Sequence, residues 1–313
     1  MESPVIFLMG PTASGKTDIA AQLVQRLPLE IISVDSAMVY RGMDIGTAKP
    51  DAALLKIAPH RLINICEPYE SYSAGNFVID ARQEIMQIHA AGKIPLLVGG
   101  TGLYFRSLEK GFSNLPTSDP DVRKKLTSQL KNKGLEYLYE ELISVDPESA
   151  ERINKNDPQR IQRALEIFEL TGTPASLWYA KGRENQIEYP VVKIIVATND
   201  RALLHNRIEQ RFSQMLEQGL VEEVKALRQR DDLHSGLPSM RLVGYRQVWQ
   251  HLDGDCSYKQ MINKGIIATR QLAKRQFTWL RKEENAHWVD SEQTELSQYL
   301  QYFIESRALY NST

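Results

Sequence analysis

The segment GPTASGKT, residues 10–17, decides the fold of this chain. It follows the apolar run Val5–Met9, which is typical of a buried strand, and opens a helical pattern over residues 16–26. The spacing G-x-x-x-x-G-K-[ST] in this context predicts a phosphate-binding loop (P-loop), although a glycine-rich turn with a solvated lysine is the simpler alternative. The residues expected to surround the phosphates are Gly10, Pro11, Thr12, Ala13, Ser14, Gly15, Lys16 and Thr17.

Two side chains of this loop carry specific chemistry. Lys16 supplies a positive charge to the terminal phosphate, and the hydroxyl of Thr17 is a ligand for Mg²⁺. The sequence therefore predicts a phosphate site with Mg²⁺ as its cofactor.

Strands and helices alternate around the loop. Strand-like apolar runs at residues 31–34, 95–98 and 191–196 accompany a strong helical pattern at residues 76–91. This order predicts an α/β fold, a P-loop NTPase-like parallel sheet with helices on both faces. Residues 115–188 show no strong strand and predict an all-helical insertion domain, which leaves a catalytic core of residues 1–114 and 189–313.

Composition excludes several classes of protein. The 313 residues have a formal net charge of −1, so nucleic-acid binding requires a local basic patch. The first apolar run is short and has no basic segment before it, and no run is long enough to span a membrane. Cys66 and Cys256 have neither zinc spacing nor a disulfide framework. We expect a cytoplasmic protein with no membrane partner.

The position of the carboxylates argues against a motor ATPase. Such an enzyme carries a Mg²⁺-binding Asp after a strand, but residues 96–98 run into a glycine-rich segment instead. Asp35 follows the strand at residues 31–34 and can face the P-loop from the carboxyl edge of the sheet. There it can act as a general base, or it can simply cap a helix beside Ser36.

The segment GGTGLY, residues 99–104, is a second glycine-rich turn between a strand and a helix. Thr101 offers a hydroxyl beside glycines that permit close backbone approach. The turn forms a second wall of the site, or its glycines serve packing alone.

Basic residues are concentrated near the end of the chain. Residues 259–282 contain seven Lys and Arg and no acid, with Phe277 and Trp279 among them. A neighbouring acid-free stretch, residues 236–252, carries Arg241 and Arg246. This pattern predicts RNA binding, with a solvated helix face and core aromatics as the alternative.

Trp279 itself is expected in the core, and Glu217, Glu222 and Glu223 are expected at a solvated helix end.

The combination of motifs resembles the tRNA dimethylallyltransferase family. Besides residues 10–17 and 99–104, the segments that carry the resemblance are DSAMVYR (35–41), DIGTAKP (44–50), DPQRIQR (157–163), VGYRQ (243–247) and TRQLAKRQFTW (269–279). They occur in order over nearly the whole chain. The resemblance implies transfer of a dimethylallyl group from dimethylallyl diphosphate, assisted by Mg²⁺. The acceptor would be N6 of the adenosine just 3′ of the anticodon, in tRNAs that read codons beginning with U.

The resemblance also implies catalytic roles. Asp35 would accept the N6 proton or hold the flipped adenine, and Thr101 would bond the bridging or leaving oxygen of the diphosphate. Lys16 and Arg211 would neutralise the leaving group, with Arg207, one helical turn away, as the alternative to Arg211.

The same resemblance implies that the anticodon stem-loop contacts both predicted domains. The residues expected at tRNA are Asp35, Ser36, Ala37, Met38, Thr101, Arg123, Gln159, Arg160, Ile161, Gln162, Arg163, Met240, Arg241, Leu242, Val243, Gly244, Tyr245, Lys274, Arg275 and Arg281. The insertion would then be an arm that closes over the stem-loop of one tRNA, which favours a monomer.

Three other functions share parts of this pattern. A small-molecule or nucleoside kinase shares the P-loop but does not need the basic C-terminal third. A free-nucleotide isopentenyltransferase shares the chemistry but needs neither the insertion nor the basic stretches. A non-enzymatic RNA-binding protein would not need intact Lys16, Thr17, Asp35 and Thr101.

Overall fold

A parallel sheet forms the framework of the molecule. The computed structural model describes residues 3–111, 113, 115–182 and 186–309. The strands are β1 Val5–Met9, β2 Leu29–Val34, β3 His60–Arg61, β4 Ile94–Gly99, β5 Val191–Ala197 and β6 Ala286–Asp290. Within the described residues they form one six-stranded sheet in the order β3-β2-β4-β1-β5-β6, with every pair parallel. All residues of β1 and β4 are buried, which explains why both strands are continuous apolar runs.

Helices cover both faces of the sheet. In chain order they are α1 Lys16–Val24, α2 Ala52–Ile57, α3 Ala74–Ala90, α4 Gly102–Lys110, α5 Pro120–Val145, α6 Pro147–Arg152, α7 Pro158–Thr171, α8 Ala175–Ala180, α9 Arg201–Glu217, α10 Leu220–Arg228, α11 Tyr245–Leu252, α12 Tyr258–Leu280 and α13 Leu296–Ile304. A 3-10 turn spans Ser239–Arg241, and a π-helical turn, Glu305–Leu309, follows α13. Ile6 and Leu8 of β1 share a core cluster with Leu23 of α1 and Leu300 of α13. Phe7, on the opposite face, packs against Phe105 of α4 with ring centroids 5.0 Å apart.

The register of the strands brings three turns to one edge of the sheet. Met9 of β1 pairs with Gly99 of β4, and Val34 of β2 pairs with the same Gly99. The strands therefore end side by side, and the segments that follow them start next to each other. Those segments are the P-loop, the Asp35 turn and the second glycine-rich turn.

The chain divides into two compact units. One is the α/β unit, Met1–Glu109 with Glu188–Thr313, and the other is the helical unit, Lys110–Ile187. The described residues of the helical unit contain α5 to α8 and no strand. A left-handed Gly134 (φ 87°) kinks α5. Buried residues that form the core of this unit include Leu126, Leu138, Leu142, Ile161 and Leu165.

The predicted fold class, a parallel α/β sheet with helices and a helical insertion, is confirmed. Several element bounds differ from prediction by one or two residues, because α1 ends at Val24, α3 spans Ala74–Ala90 and β2 begins at Leu29. The edge strand β3 has only two residues, too few for a periodic pattern to reveal it. The domain border predicted at residue 114, like the end of the core at residue 313, lies outside the described residues.

The helical unit has a core that a single substitution can test. Leu138 is fully buried, so Leu138→Ala removes packed methyl groups and leaves a cavity. We expect the free energy of unfolding to fall by about 2–5 kcal/mol, measured by urea unfolding followed by circular dichroism. The matched control is Leu177→Ala, at a side chain that is 52% exposed, and it should change stability little. Equal losses in both variants would contradict this assignment of the core.

Candidate active site

A cavity of about 480 Å³ opens at the carboxyl edge of the sheet. Its wall brings together Lys16, Thr17, Asp35, Thr101 and Arg211, which are far apart in the sequence. Further predicted residues in this wall are Thr12, Ser36, Ala37, Met38, Arg241, Leu242, Val243, Gly244 and Arg275. The fold thus gathers every predicted catalytic side chain around one space.

The P-loop adopts a conformation suited to an anion. Gly15 is left-handed (φ 79°) at the N-cap of α1, where no side chain caps the amides of the first turn. Ala13 is also left-handed (φ 62°), a backbone state that costs a non-glycine residue about 1–3 kcal/mol. Such strain concentrates at ligand sites, and the uncapped helix N-terminus carries a partial positive charge.

Within the described residues, Lys16 and Arg211 lie in the cavity wall with no carboxylate in contact. The Lys16 ammonium donates to the carbonyl of Pro11 at 3.0 Å. Burial and the neighbouring Arg211 lower the pKa of Lys16 to about 8, although Asp35 opposes the shift. Burial also lowers the pKa of Arg211, against the attraction of Asp35 and Asp18. Both cations would therefore gain from an anion that entered the cavity.

Arg207 and Arg211 have different surroundings, although they are one turn apart on α9. Arg207 donates to the hydroxyl of Ser291 at 3.1 Å and pairs with Glu292. Arg211 lines the first cavity, and Arg207 does not, whereas both arginines line a second cavity of about 570 Å³ that borders the P-loop at Ala13, Ser14 and Gly15. The geometry therefore favours Arg211 over Arg207 at the phosphates.

Asp35 begins a turn rather than a helix. One carboxylate oxygen, Oδ1, accepts the N–H of Ala37 at 2.8 Å, and the residues that follow Asp35 form turns. Among the described residues, the other oxygen, Oδ2, has no hydrogen-bond donor. The side chain is thus held in the cavity wall with one oxygen available.

Thr101 joins two of the turns at the edge of the sheet. Its Oγ1 accepts the N–H of Ser36 at 3.1 Å and donates to the Ser36 hydroxyl at 3.4 Å. The hydroxyl thus connects the turn after β4 to the turn after β2. Both expectations for this segment are met, since Thr101 lines the cavity while Gly100 and Gly102 pack closely against α12.

Four side chains predicted at tRNA are buried, and one of them, Met38 (9% exposed), lines the cavity. Met240 (1% exposed) and Tyr245 (0%) lie in the core around α9 to α12, and Ile161 (0%) lies in the core of the helical unit. This corrects the prediction at side-chain level, because buried groups cannot contact RNA without rearrangement. They support the exposed residues Arg241 and Arg160 next to them.

Glu223 corrects a second expectation, since it is not part of a solvated helix end. Its carboxylate accepts the N–H groups of Asp44 and Ile45 at 2.8 Å and of Gly46 at 3.1 Å. It also accepts the Tyr245 hydroxyl at 2.6 Å. Burial and Glu223 together raise the pKa of Tyr245. Glu223 thus fixes the 44–46 turn beside the cavity, and no local sequence pattern reveals that role.

The basic residues of α12 lie on its exposed face. Lys274, Arg275 and Arg281 are exposed. Phe277 packs beside Leu204 and Ile208 and lies under the Arg281 guanidinium at 5.7 Å. Trp279 stacks on Phe105 (6.2 Å between ring centroids) and also lines the cavity. The aromatic side chains are therefore packing elements, as expected for Trp279.

In the helical unit, Glu166 organises two predicted RNA contacts. This carboxylate is 1% exposed and accepts from Arg123 Nε at 3.1 Å and from Arg163 Nη1 at 2.7 Å. Burial alone would raise the pKa of Glu166, but hydrogen bonds from Arg163 and Ser118 hold it below its usual range. Of the other predicted contacts, Gln159 and Arg160 are exposed and Gln162 is partly buried.

Two features are absent from the described part of the chain. No group of three or more His, Cys, Asp and Glu among the described residues could hold a metal ion. None of the described helices is long and apolar enough to cross a membrane.

The fold and the cavity define a class, the α/β proteins in which a glycine-rich turn connects a strand to a helix at the edge of the sheet. Comparison with known proteins gives the family, because residues 38–283 match the model of the IPP transferases. A tRNA dimethylallyltransferase of Alkalilimnicola ehrlichii is 56% identical over 291 residues, 93% of this chain and 92% of the relative. The chain therefore belongs to the IPP transferase family, and the resemblance drawn from its motifs is confirmed.

Solved structures of related enzymes are similar to this chain. The full-length tRNA isopentenylpyrophosphate transferase of Bacillus halodurans is 36% identical with a TM-score of 0.71, over 97% of this chain and 96% of that one. A eukaryotic dimethylallyltransferase studied in action on tRNA is 26% identical with a TM-score of 0.77, over 96% and 77% of the two chains.

The lowered pKa of Lys16 makes anion binding depend on pH. Below about pH 8 the ammonium is already charged, whereas above it an anion must bind together with a proton taken up by Lys16. We expect the affinity for inorganic diphosphate to fall by up to about tenfold per pH unit above that pKa. Calorimetry in buffers of different ionisation enthalpy should detect this proton uptake. The Lys16→Ala variant should lack this proton uptake. It is compared with wild type at each pH, so that the titration of diphosphate itself cancels. Equal proton uptake by both proteins would refute the assignment.

Proposed function

We propose that this protein transfers a dimethylallyl group from dimethylallyl diphosphate to N6 of the adenosine 3′ of the anticodon, in tRNAs that read codons beginning with U. Diphosphate is released. The observation that carries the proposal is one cavity whose wall contains Lys16 and Thr17 of the P-loop together with Arg211, Asp35 and Thr101. The relatives named above are tRNA dimethylallyltransferases or isopentenyl transferases, which gives no support to a kinase or a free-nucleotide enzyme.

The chemistry demands stabilisation of the leaving group. The exocyclic amine of adenine is a weak nucleophile, so bond breaking at the allylic carbon must carry much of the reaction. Lys16, Arg211 and the P-loop amides are fixed donors at the position where the diphosphate charge grows. Thr101 donates its hydroxyl to the bridging or leaving oxygen. The partly enclosed cavity keeps water from the cation-like carbon.

Asp35 is the proposed base for the N6 proton. Its Oδ1 is engaged by the Ala37 N–H, which fixes the carboxylate, and Oδ2 faces no protein donor among the described residues. A carboxylate held in this way can accept a proton from a flipped adenine or hold the amine in line with the allylic carbon. Ser36, Ala37 and Met38 border the base.

Mg²⁺ fits this site only together with the substrate. Mg²⁺ prefers hard oxygen ligands and is often bound through few protein groups plus phosphate oxygens. Thr17 offers a hydroxyl in the cavity wall, in keeping with the lack of a larger carboxylate cluster among the described residues. The ion would be held by Thr17 and the diphosphate, and it would neutralise charge on the leaving group.

Exposed cations of both units are the proposed contacts of the anticodon stem-loop. On the α/β unit they are Arg241, Lys274, Arg275 and Arg281. On the helical unit, Arg160 is exposed, and Arg123 and Arg163 are oriented by Glu166. These groups neutralise backbone phosphates, which positions the RNA rather than reading its sequence.

We also propose that the protein is a cytoplasmic monomer. Its substrates are a tRNA and a soluble diphosphate, and the cysteine pattern is that of reduced thiols. One chain supplies every side chain assigned to the cavity, so no second copy is required.

The role of Asp35 can be tested by Asp35→Asn. Asn keeps an oxygen for the Ala37 N–H and so preserves the turn, but it removes the base. We expect kcat to fall by about 10²–10⁴-fold. The assay follows labelled dimethylallyl transfer to an anticodon stem-loop RNA, with AMP and ATP as competing acceptors.

The matched control is Asp255→Asn, at an exposed carboxylate outside the cavity, which should retain full activity. Full activity of Asp35→Asn would refute the assignment of the base. Label on AMP or ATP rather than on RNA would refute the proposed acceptor.

The RNA surface can be tested by Lys274→Ala. Removal of one phosphate contact should weaken stem-loop binding by about threefold to tenfold and reduce the salt slope of log K by about 1. Affinity is measured by fluorescence anisotropy between 50 and 200 mM salt, a range over which such slopes are resolved. Lys56→Ala, an exposed lysine of α2, is the charge-matched control and should leave the slope unchanged. Identical slopes in wild type and Lys274→Ala would exclude Lys274 from the interface.

A further inference from the structure

Gln276 of α12 is a polar side chain whose amide makes one hydrogen bond as an acceptor and one as a donor. It is 8% exposed. Its Oε1 accepts the N–H of Thr12 at 2.8 Å, and its Nε2 donates to the carbonyl of Gly100 at 3.0 Å. A side-chain amide offers an acceptor and a donor at one end, and here each has its partner.

These two partners belong to the two glycine-rich turns of the cavity. Thr12 lies in the P-loop after β1, and Gly100 lies in the turn after β4. One side chain, remote in sequence from both, therefore cross-links them. A Cβ at Gly100 would collide with Gln276 Nε2, so the glycine permits this close approach.

A second contact of α12 lies one turn further along the same helix. Trp279 packs against Gly102, where a Cβ would collide with the indole ring. Gln276 and Trp279 thus fix one face of α12 to the cavity, whereas Lys274 and Arg275 are exposed. The helix that carries the proposed RNA contacts is the one that holds the P-loop.

We propose that Gln276 is a positioning residue that holds the P-loop in its diphosphate-binding conformation. This inference rests on the proposed function, since it assumes that the P-loop binds diphosphate. Gln276 occupies the Thr12 N–H and anchors the first limb of the loop, which leaves the amides from Ala13 to Thr17 to face the anion. Without it, a buried N–H and a buried carbonyl lose their partners, and the strained turn at Ala13 loses a restraint.

The first test compares two glutamine variants of α12. Gln276→Met keeps the length of the side chain but removes both hydrogen bonds, and Gln271→Met makes the same change at an exposed position. Calorimetry measures binding of inorganic diphosphate in the presence of Mg²⁺. We expect Gln276→Met to bind about 10–100-fold more weakly and Gln271→Met to match wild type. In the transfer assay, the KM for dimethylallyl diphosphate should rise with Gln276→Met while the KM for the stem-loop RNA stays constant.

The second test uses Gln276→Glu over a range of pH. The ionised carboxylate can accept from Thr12 but repels the Gly100 carbonyl, whereas the protonated acid can donate to that carbonyl as the amide does. We expect diphosphate affinity, relative to wild type at the same pH, to recover as pH falls from 8 to 5. Charged and titratable groups that share the cavity wall are Lys16, Asp35, His60, Arg211, Arg241 and Arg275, and the comparison at each pH cancels their titration.

The outcomes separate the inference from the function. If wild type does not bind diphosphate, the proposed function fails. If wild type binds and Gln276→Met binds equally well, the positioning role is overturned while the function stands. A merely structural role would raise both KM values together. If Gln276→Met does not fold, the pH series of Gln276→Glu decides alone.

Discussion

The parallel register of β1, β2 and β4 is the constraint on which the site depends. Because Met9 and Val34 both pair with Gly99, the three strands end at the same level of the sheet. Parallel strands require crossover connections, so each of them is followed by a segment that turns back over the same edge. The P-loop, the Asp35 turn and the second glycine-rich turn therefore meet, although they lie up to about ninety residues apart in the chain.

The electrostatic balance at this edge favours an anionic ligand. Burial and the neighbouring Arg211 lower the affinity of Lys16 for a proton, burial does the same for Arg211, and Asp35 offsets both effects only in part. An arrangement of like charges is unfavourable in the free protein, and a polyanion would relieve it. The left-handed backbone at Ala13 is also unfavourable in the free protein. Its surroundings hold it in that state, which suits a loop whose amides bind an anion. The site is thus preorganised for phosphate groups before the ligand binds.

Three polar side chains organise the residues that would touch substrate. Gln276 ties the two glycine-rich turns together, and Glu223 binds the backbone of the 44–46 turn. Glu166 orients Arg123 and Arg163 in the helical unit. Each is largely or partly buried and makes two or more hydrogen bonds to other segments, which makes its position well defined. None of them belongs to the set of residues predicted to act on substrate.

The sequence by itself determined the class of fold, the P-loop, the order of the elements and the family, because these are carried by local periodicity and by contiguous motifs. It also selected Lys16, which begins α1 at the end of the P-loop, and Asp35 and Thr101, which closely follow strand ends. Tertiary structure alone decided the rest. It separated Arg211 from Arg207, and it showed that Met240, Tyr245 and Ile161 are buried. It also gave Gln276, Glu223 and Glu166 their partners. The physical reason is that burial and hydrogen bonding between distant segments depend on how helices pack. The sequence pattern of a helix does not reveal whether one of its polar side chains faces solvent or a binding site.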